Sequence, residues 1–180
     1  VYIPHLDYPL QKLGPNHQDI ANELQSVDKE VGRLIYNFQQ QDVQICLLSE
    51  YGIEEVNDAI PINRILRKHD LLSVREELGR EYLDTGASKC FAVPDHQIAH
   101  VYVHDKDNVH HVSDVLRDTN GIEFVYVGDE REKLANERCG DIVVVSNHDK
   151  WFSHDWWSSD AKAPDYQATV DIHSKPGYDP

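Results

Sequence analysis

Residues 43–52 read Val-Gln-Ile-Cys-Leu-Leu-Ser-Glu-Tyr-Gly, and this stretch decides the fold class. Val43 to Leu48 is a short apolar run of the length a buried strand needs, and Ser49-Glu50-Tyr51-Gly52 ends it with turn chemistry. Immediately upstream, Ile20, Leu24, Val27, Val31, Leu34, Ile35 and Phe38 recur at helical spacing, which predicts an amphipathic helix over about 18–40. Asp19 and Glu23 suit the positive end of that helix. Further back, Val1-Tyr2-Ile3-Pro4 is a short apolar run stopped by proline. Strand, helix, strand is a βαβ unit, and it implies a parallel sheet covered by helices. In such sheets functional groups collect beyond the carboxyl ends of the strands. His5 and Asp7 follow the first strand and Glu50 follows the second, so parallel strands would bring them to one rim.

The pattern changes from about residue 60. A short helix is expected over 62–69, short strands and turns over 71–93, and a strand over 98–103. A helix is expected over 108–118, a strand over 122–127, a short helix over 129–136 and a strand over 141–145. The tail from 151 is rich in Trp, Ser, Asp and Pro and is expected to be irregular. The expected architecture is α/β: a mostly parallel sheet sandwiched by helices, with a smaller α+β insertion or cap at about 55–140.

Composition narrows the function. The 180 residues carry 32 acidic against 17 basic side chains, a formal charge of -15. That argues against a nucleic-acid backbone as partner, because no basic surplus is present to neutralise phosphates. No stretch approaches the roughly 20 apolar residues of a membrane span. Cys46, Cys90 and Cys139 are sparse and odd in number, which is not a disulfide framework and suits a reducing compartment such as the cytoplasm. No Walker A, GxGxxG or GxSxG motif is present. The absence of methionine and the abrupt ends lead us to expect part of a larger polypeptide.

Histidine is unusually frequent, at 11 of 180 residues. His5-Leu6-Asp7 sets an imidazole and a carboxylate two residues apart, a ligand pair for zinc or manganese or an ordinary surface loop. Glu50 stands at a strand end, free for a ligand or for acid–base work. His96 and His100 are four apart, a spacing that shares a face, although a half-buried strand histidine is the favoured reading of His100. His173 lies in the polar segment Asp171-Ile172-His173 near Gly177-Tyr178-Asp179 and could return to the same rim.

Three of these segments together resemble the type I phosphodiesterase / nucleotide pyrophosphatase family of the alkaline phosphatase superfamily, closest to bacterial members. Tyr2-Ile3-Pro4-His5-Leu6-Asp7 with Gly14-Pro15 resembles the family's tyrosine, proline–aspartate and glycine–proline signature. Leu47-Leu48-Ser49-Glu50-Tyr51-Gly52 stands where the family has a strand followed by Asp-His-Gly. Asp171-Ile172-His173 with Gly177-Tyr178-Asp179 resembles its late histidine region, and Ala99 to Val103 resembles a strand of the superfamily. The resemblance spans nearly the whole chain and makes residues 1–180 the C-terminal part of one alkaline phosphatase-like domain.

What the resemblance implies is a metal-dependent hydrolase of phosphoric esters, acting on phosphodiester or nucleotide pyrophosphate bonds through two divalent ions (Zn, Mn or Mg). Asp7, Glu50 and His173 match metal-ligand positions. Gln11 replaces one family histidine, with His5 as an alternative ligand, and Tyr51 replaces another. A neutral amide and a phenol with pKa near 10 are poor zinc ligands, which shifts the preference toward oxygen-liking ions. The nucleophilic Thr or Ser falls before Val1 in the resemblance, so these 180 residues alone are expected to be inactive. The resemblance also admits an inactive homologue that binds a phosphorylated ligand, and a sulfatase or phosphonate hydrolase.

Overall fold

The structure is a computed structural model and describes residues 1–132 and 138–167. The chain divides into two compact units, with the boundary between Glu55 and Val56.

The first unit holds two helices, α1 (Asp7–Leu13) and α2 (Ile20–Gln39). The periodicity of 20–38 folds as read, as one helix with Ile20 buried. Val31, Leu34, Ile35 and Phe38 line an open groove with Val1, Ile3 and residues 43–47. Residues 1–4 and 43–49 carry no ladder, so the two predicted strands do not pair with described residues. A strand exists only where another backbone lies about 4.8 Å away to accept and donate its hydrogen bonds. Without that partner the apolar run stays open: Leu47 is 70% and Leu48 77% exposed, and Ile20 is the one buried residue of the described part of this unit.

The second unit is a mixed α/β body with its own core. Its elements are β1 (Asp58–Ile60), α3 (Ile62–Lys68), β2 (Val74–Glu77), β3 (Arg80–Leu83), β4 (Cys90–Asp95), β5 (Ile98–Val103), α4 (Val109–Arg117), β6 (Ile122–Val127), α5 (Asp129–Glu132), β7 (Ile142–Ser146) and β8 (Lys150–Phe152). The main sheet has the order β4-β5-β7-β6, and every pairing in it is antiparallel. The parallel pairing present is β1 with β8, three residues long. The described strands therefore do not form the large, mostly parallel sheet expected from the sequence. Mixed α/β composition holds, and the sheet direction does not. Most of the short elements expected after residue 60 are found within two residues of their predicted ends.

Strand alternation builds the core. Ala99, Val101 and Val103 point one way from β5 and are buried, as are Ile142 and Val144 of β7. Ile62 and Leu66 of α3 and Val112 and Leu116 of α4 cover that face and are fully buried. Each such side chain contributes roughly 1.5–3 kcal/mol of burial. Buried Asn63 protects the outer edge of β4: its Nδ2 donates to Ala92 O (2.9 Å) and its Oδ1 accepts from Ala92 N (2.8 Å). The tail is not loose. Phe152 and Trp157 are buried, Trp156 Nε1 donates to Glu81 O (2.9 Å), and Arg64 lies 5.6 Å above the Trp157 ring.

Candidate functional site

The matched residues of the first unit gather around Asp7. Pro4 breaks the extended entry, and Asp7 opens α1 with its amide bonded to Pro4 O (3.0 Å). The apolar run stopped by Pro4 predicted a strand end and turn here, whereas Asp7 begins a helix turn. That turn puts Gln11 one helical turn further along the same face. Gln11 Nε2 donates to Asp7 Oδ1 at 2.9 Å. From 44 residues away, Tyr51 Oη donates to the same oxygen at 2.6 Å. Ser49 Oγ donates to Tyr51 O (2.6 Å), closing the turn that presents the phenol.

The electrostatics follow from this contact. Tyr51's phenol is pushed up to about 12, first by its hydrogen bond to Asp7, then by desolvation, with smaller pushes from the charges of Asp7 and Glu50. A phenol so held stays protonated at neutral pH and serves Asp7 as a donor rather than as an anionic ligand. Glu50 is exposed and makes no hydrogen bond to a described residue. His5 does not turn to Asp7: its Nε2 lies 2.5 Å from Glu23 Oε2 on α2. Glu23 is the site residue that the sequence did not point to. It carried a signal only as an acid in the first turn of a helix.

His96 lies in the second unit, exposed in the turn between β4 and β5 at φ 55°, with Asp95 Oδ1 3.8 Å from its Nε2. His173 lies outside the described residues. The structure thus brings Asp7, Gln11 and Tyr51 into contact and pairs His5 with Glu23.

Among the described residues no group of three His, Cys, Asp or Glu side chains converges to hold a metal ion. The groups at Asp7 are its own carboxylate and the Gln11 amide and protonated Tyr51 phenol that donate to it, with the Glu50 carboxylate nearby in sequence, and no imidazole joins them among the described residues. That set does not fit zinc by itself. It does fit a magnesium- or manganese-like ion, which keeps several waters and binds through one or two carboxylates.

The family model described as type I phosphodiesterase / nucleotide pyrophosphatase matches residues 1–179. No curated protein matches the chain.

Proposed function

The chain belongs to the type I phosphodiesterase / nucleotide pyrophosphatase family, a hydrolase family in general metal-dependent and acting on small phosphate esters or nucleotides, and from that premise we propose a metal-dependent phosphoric-ester hydrolase. The bonds it cleaves are phosphodiester or nucleotide pyrophosphate bonds, through a phospho-enzyme on a Thr or Ser. Asp7, Glu50 and His173 are the residues we assign to hold two divalent ions, magnesium or manganese in preference to zinc. When bound, such ions polarise the phosphoryl oxygens and generate the attacking nucleophile.

The observation that carries this reading is the Tyr51–Asp7 hydrogen bond, which joins two of the three segments matching the family. Within the site, Gln11 and Tyr51 fix one oxygen of Asp7 and thereby orient the other, which accepts no hydrogen bond from a described residue. Glu50, two residues from the end of the extended run, supplies a second carboxylate with no competing partner among the described residues.

The same observation supports a second reading. Two neutral donors on Asp7 where imidazoles would stand suit a homologue that keeps the pocket, binds a phosphorylated ligand and does not hydrolyse it. Metal content per chain, measured by elemental mass spectrometry after loading with manganese, separates the two. Bound metal lost in Asp7→Ala, Glu50→Ala and His173→Ala, with hydrolysis of a nitrophenyl phosphodiester lost in parallel, supports the hydrolase. A metal-free protein that still binds a nucleotide in calorimetry rejects it and leaves the binding protein.

A further inference from the structure

We infer that Glu23 sets the metal preference of the Asp7 site by holding the His5 imidazole on α2, out of the donor set, an inference that rests on the proposed metal-dependent hydrolase. The two residues come from different elements. His5 stands in the turn that leads into α1, where Asp7 N bonds Pro4 O at 3.0 Å. Glu23 stands in the first turn of α2. His5 Nε2 donates to Glu23 Oε2 across 2.5 Å, and the two side chains are 38% and 34% exposed.

This pair decides which groups surround Asp7. Two Cα steps of about 3.8 Å place His5 and Asp7 no more than about 7.6 Å apart, close enough for an imidazole and a carboxylate to share one ion. Held by Glu23, His5 leaves Asp7 with the Gln11 amide and the Tyr51 phenol, both donating to one oxygen. His17, the next histidine along the chain, is also engaged elsewhere: its Nδ1 accepts from Asp19 N at 3.3 Å. Among the described residues no three His, Cys, Asp or Glu side chains converge to hold an ion.

The two classes of ion respond differently to this arrangement. Zinc takes imidazole nitrogen readily, whereas magnesium and manganese favour carboxylate and water oxygen. A site deprived of imidazole therefore loses more zinc affinity than manganese affinity. Zinc recruits His5 only by breaking its bond to Glu23, and a half-exposed pair of this kind is worth roughly five- to tenfold in an equilibrium. Glu23 is thus a positioning residue, which touches no ion itself and works through His5. The pair also ties the entry turn of α1 to α2, so its two ends must be changed separately.

The test is competitive uptake of zinc and manganese by the 180-residue chain in equilibrium dialysis, read by elemental mass spectrometry and counting only the metal that Asp7→Ala loses. Glu23→Ala and His5→Ala both break the pair, but only Glu23→Ala leaves an imidazole to bind an ion. The zinc-to-manganese ratio is expected to rise roughly five- to tenfold in Glu23→Ala and to stay at the wild-type value in His5→Ala. On addition of zinc, the His5 ring resonances are expected to shift at lower zinc in Glu23→Ala than in wild type. Glu23→Gln, which keeps the side-chain length and weakens the bond, gives a smaller rise in the same direction and serves if Glu23→Ala does not fold. An equal rise in both alanine variants makes the pair a structural clamp alone and overturns the proposal, as does an unchanged ratio in a metal-binding Glu23→Ala. A fall in affinity for both ions in both variants makes His5 a ligand through Nδ1, oriented by Glu23, and overturns it as well. No Asp7-dependent metal in wild type or in either variant rejects the hydrolase reading itself, and this inference with it.

Discussion

Tyr51 Oη donates a 2.6 Å hydrogen bond to Asp7 Oδ1, and so ties the turn after residues 43–48 to the first turn of α1. The bond favours the neutral phenol, and Tyr51 titrates upward, to about 12. A folded pKa above the unfolded value of about 10 means that the folded state keeps a proton the unfolded state loses. This contribution is therefore complete below pH 10 and is lost as pH rises toward 12. Tyrosine Cζ resonances followed by NMR should show Tyr51 titrating late, beside Tyr166, whose phenol burial also pushes up, and Asp7→Asn should bring the Tyr51 midpoint alone back toward 10. A Tyr51 midpoint unmoved by Asp7→Asn would remove the bond as the cause.

Glu81 is the ionic centre of the second unit. Its carboxylate is 2% exposed as a residue and accepts from Arg67 Nη1 (2.6 Å), Arg67 Nη2 (3.1 Å), Ser158 N (2.7 Å) and Ser158 Oγ (3.0 Å). Arg67 first, then the Ser158 donors, hold its pKa down at about 2 against an ordinary 4.5. The stabilisation is present above about pH 4.5 and fades as pH falls toward 2. Glu81→Gln should cost roughly 2–3 kcal/mol near neutrality, because Arg67 loses its charged partner. Melting curves from pH 2 to 6 should flatten in the variant relative to wild type.

Gly140 has no room for a side chain. A Cβ would lie 2.7 Å from Val101 N, 2.8 Å from Val101 O and 3.0 Å from His100 C, all backbone that cannot swing aside. Gly140→Ala should therefore cost about 3 kcal/mol or more, at the upper end of overpacking penalties. A drop in urea midpoint at constant slope is the expected readout. A midpoint within error of wild type would mean that β5 and β7 can part without loss.

Leu78 and Gly79 form the two-residue turn between β2 and β3, with φ 51° and 76°. Both values are positive, the conformation of the Asn-Gly hairpin turn. Leu78 is also fully exposed, so its side chain gains nothing by packing. Leu78→Asn should stabilise the protein by about 1 kcal/mol, since a leucine there carries a left-handed penalty of that order. The same urea titration reads it, and a lower midpoint would contradict the expected turn geometry.

Much of this was legible in the residues. The 3.6-residue recurrence of Ile20 to Phe38 found α2. Ile98 to Val103 and Ile122 to Val127 were found as β5 and β6 from their alternation and flanking turn residues. The spacing of Asp7 and Gln11 gave one edge of the site once α1 formed. The rest was not legible, because it depends on residues that meet only in space. Val43 to Leu48 has the composition of a buried strand, yet no described backbone pairs with it. The β1–β8 pair is three residues long and contains Asp58 and Lys150, too short and too polar for a periodic signal. Glu23 read as a helix-end charge and is the partner of His5 across 18 positions.

The sequence by itself determined the local elements of the second unit, the acidic balance and the family. The first two rest on composition or on spacings within one element, and the family on three short motifs in order along the chain. Only the tertiary structure decided that the main sheet is antiparallel, that Tyr51 and Gln11 share one oxygen of Asp7, that Glu81 gathers Arg67 and Ser158, and that His5 turns to Glu23. A period measures what one segment prefers. A hydrogen bond between residues 14, 44 or 77 positions apart is a property of the fold that brings them within 3 Å.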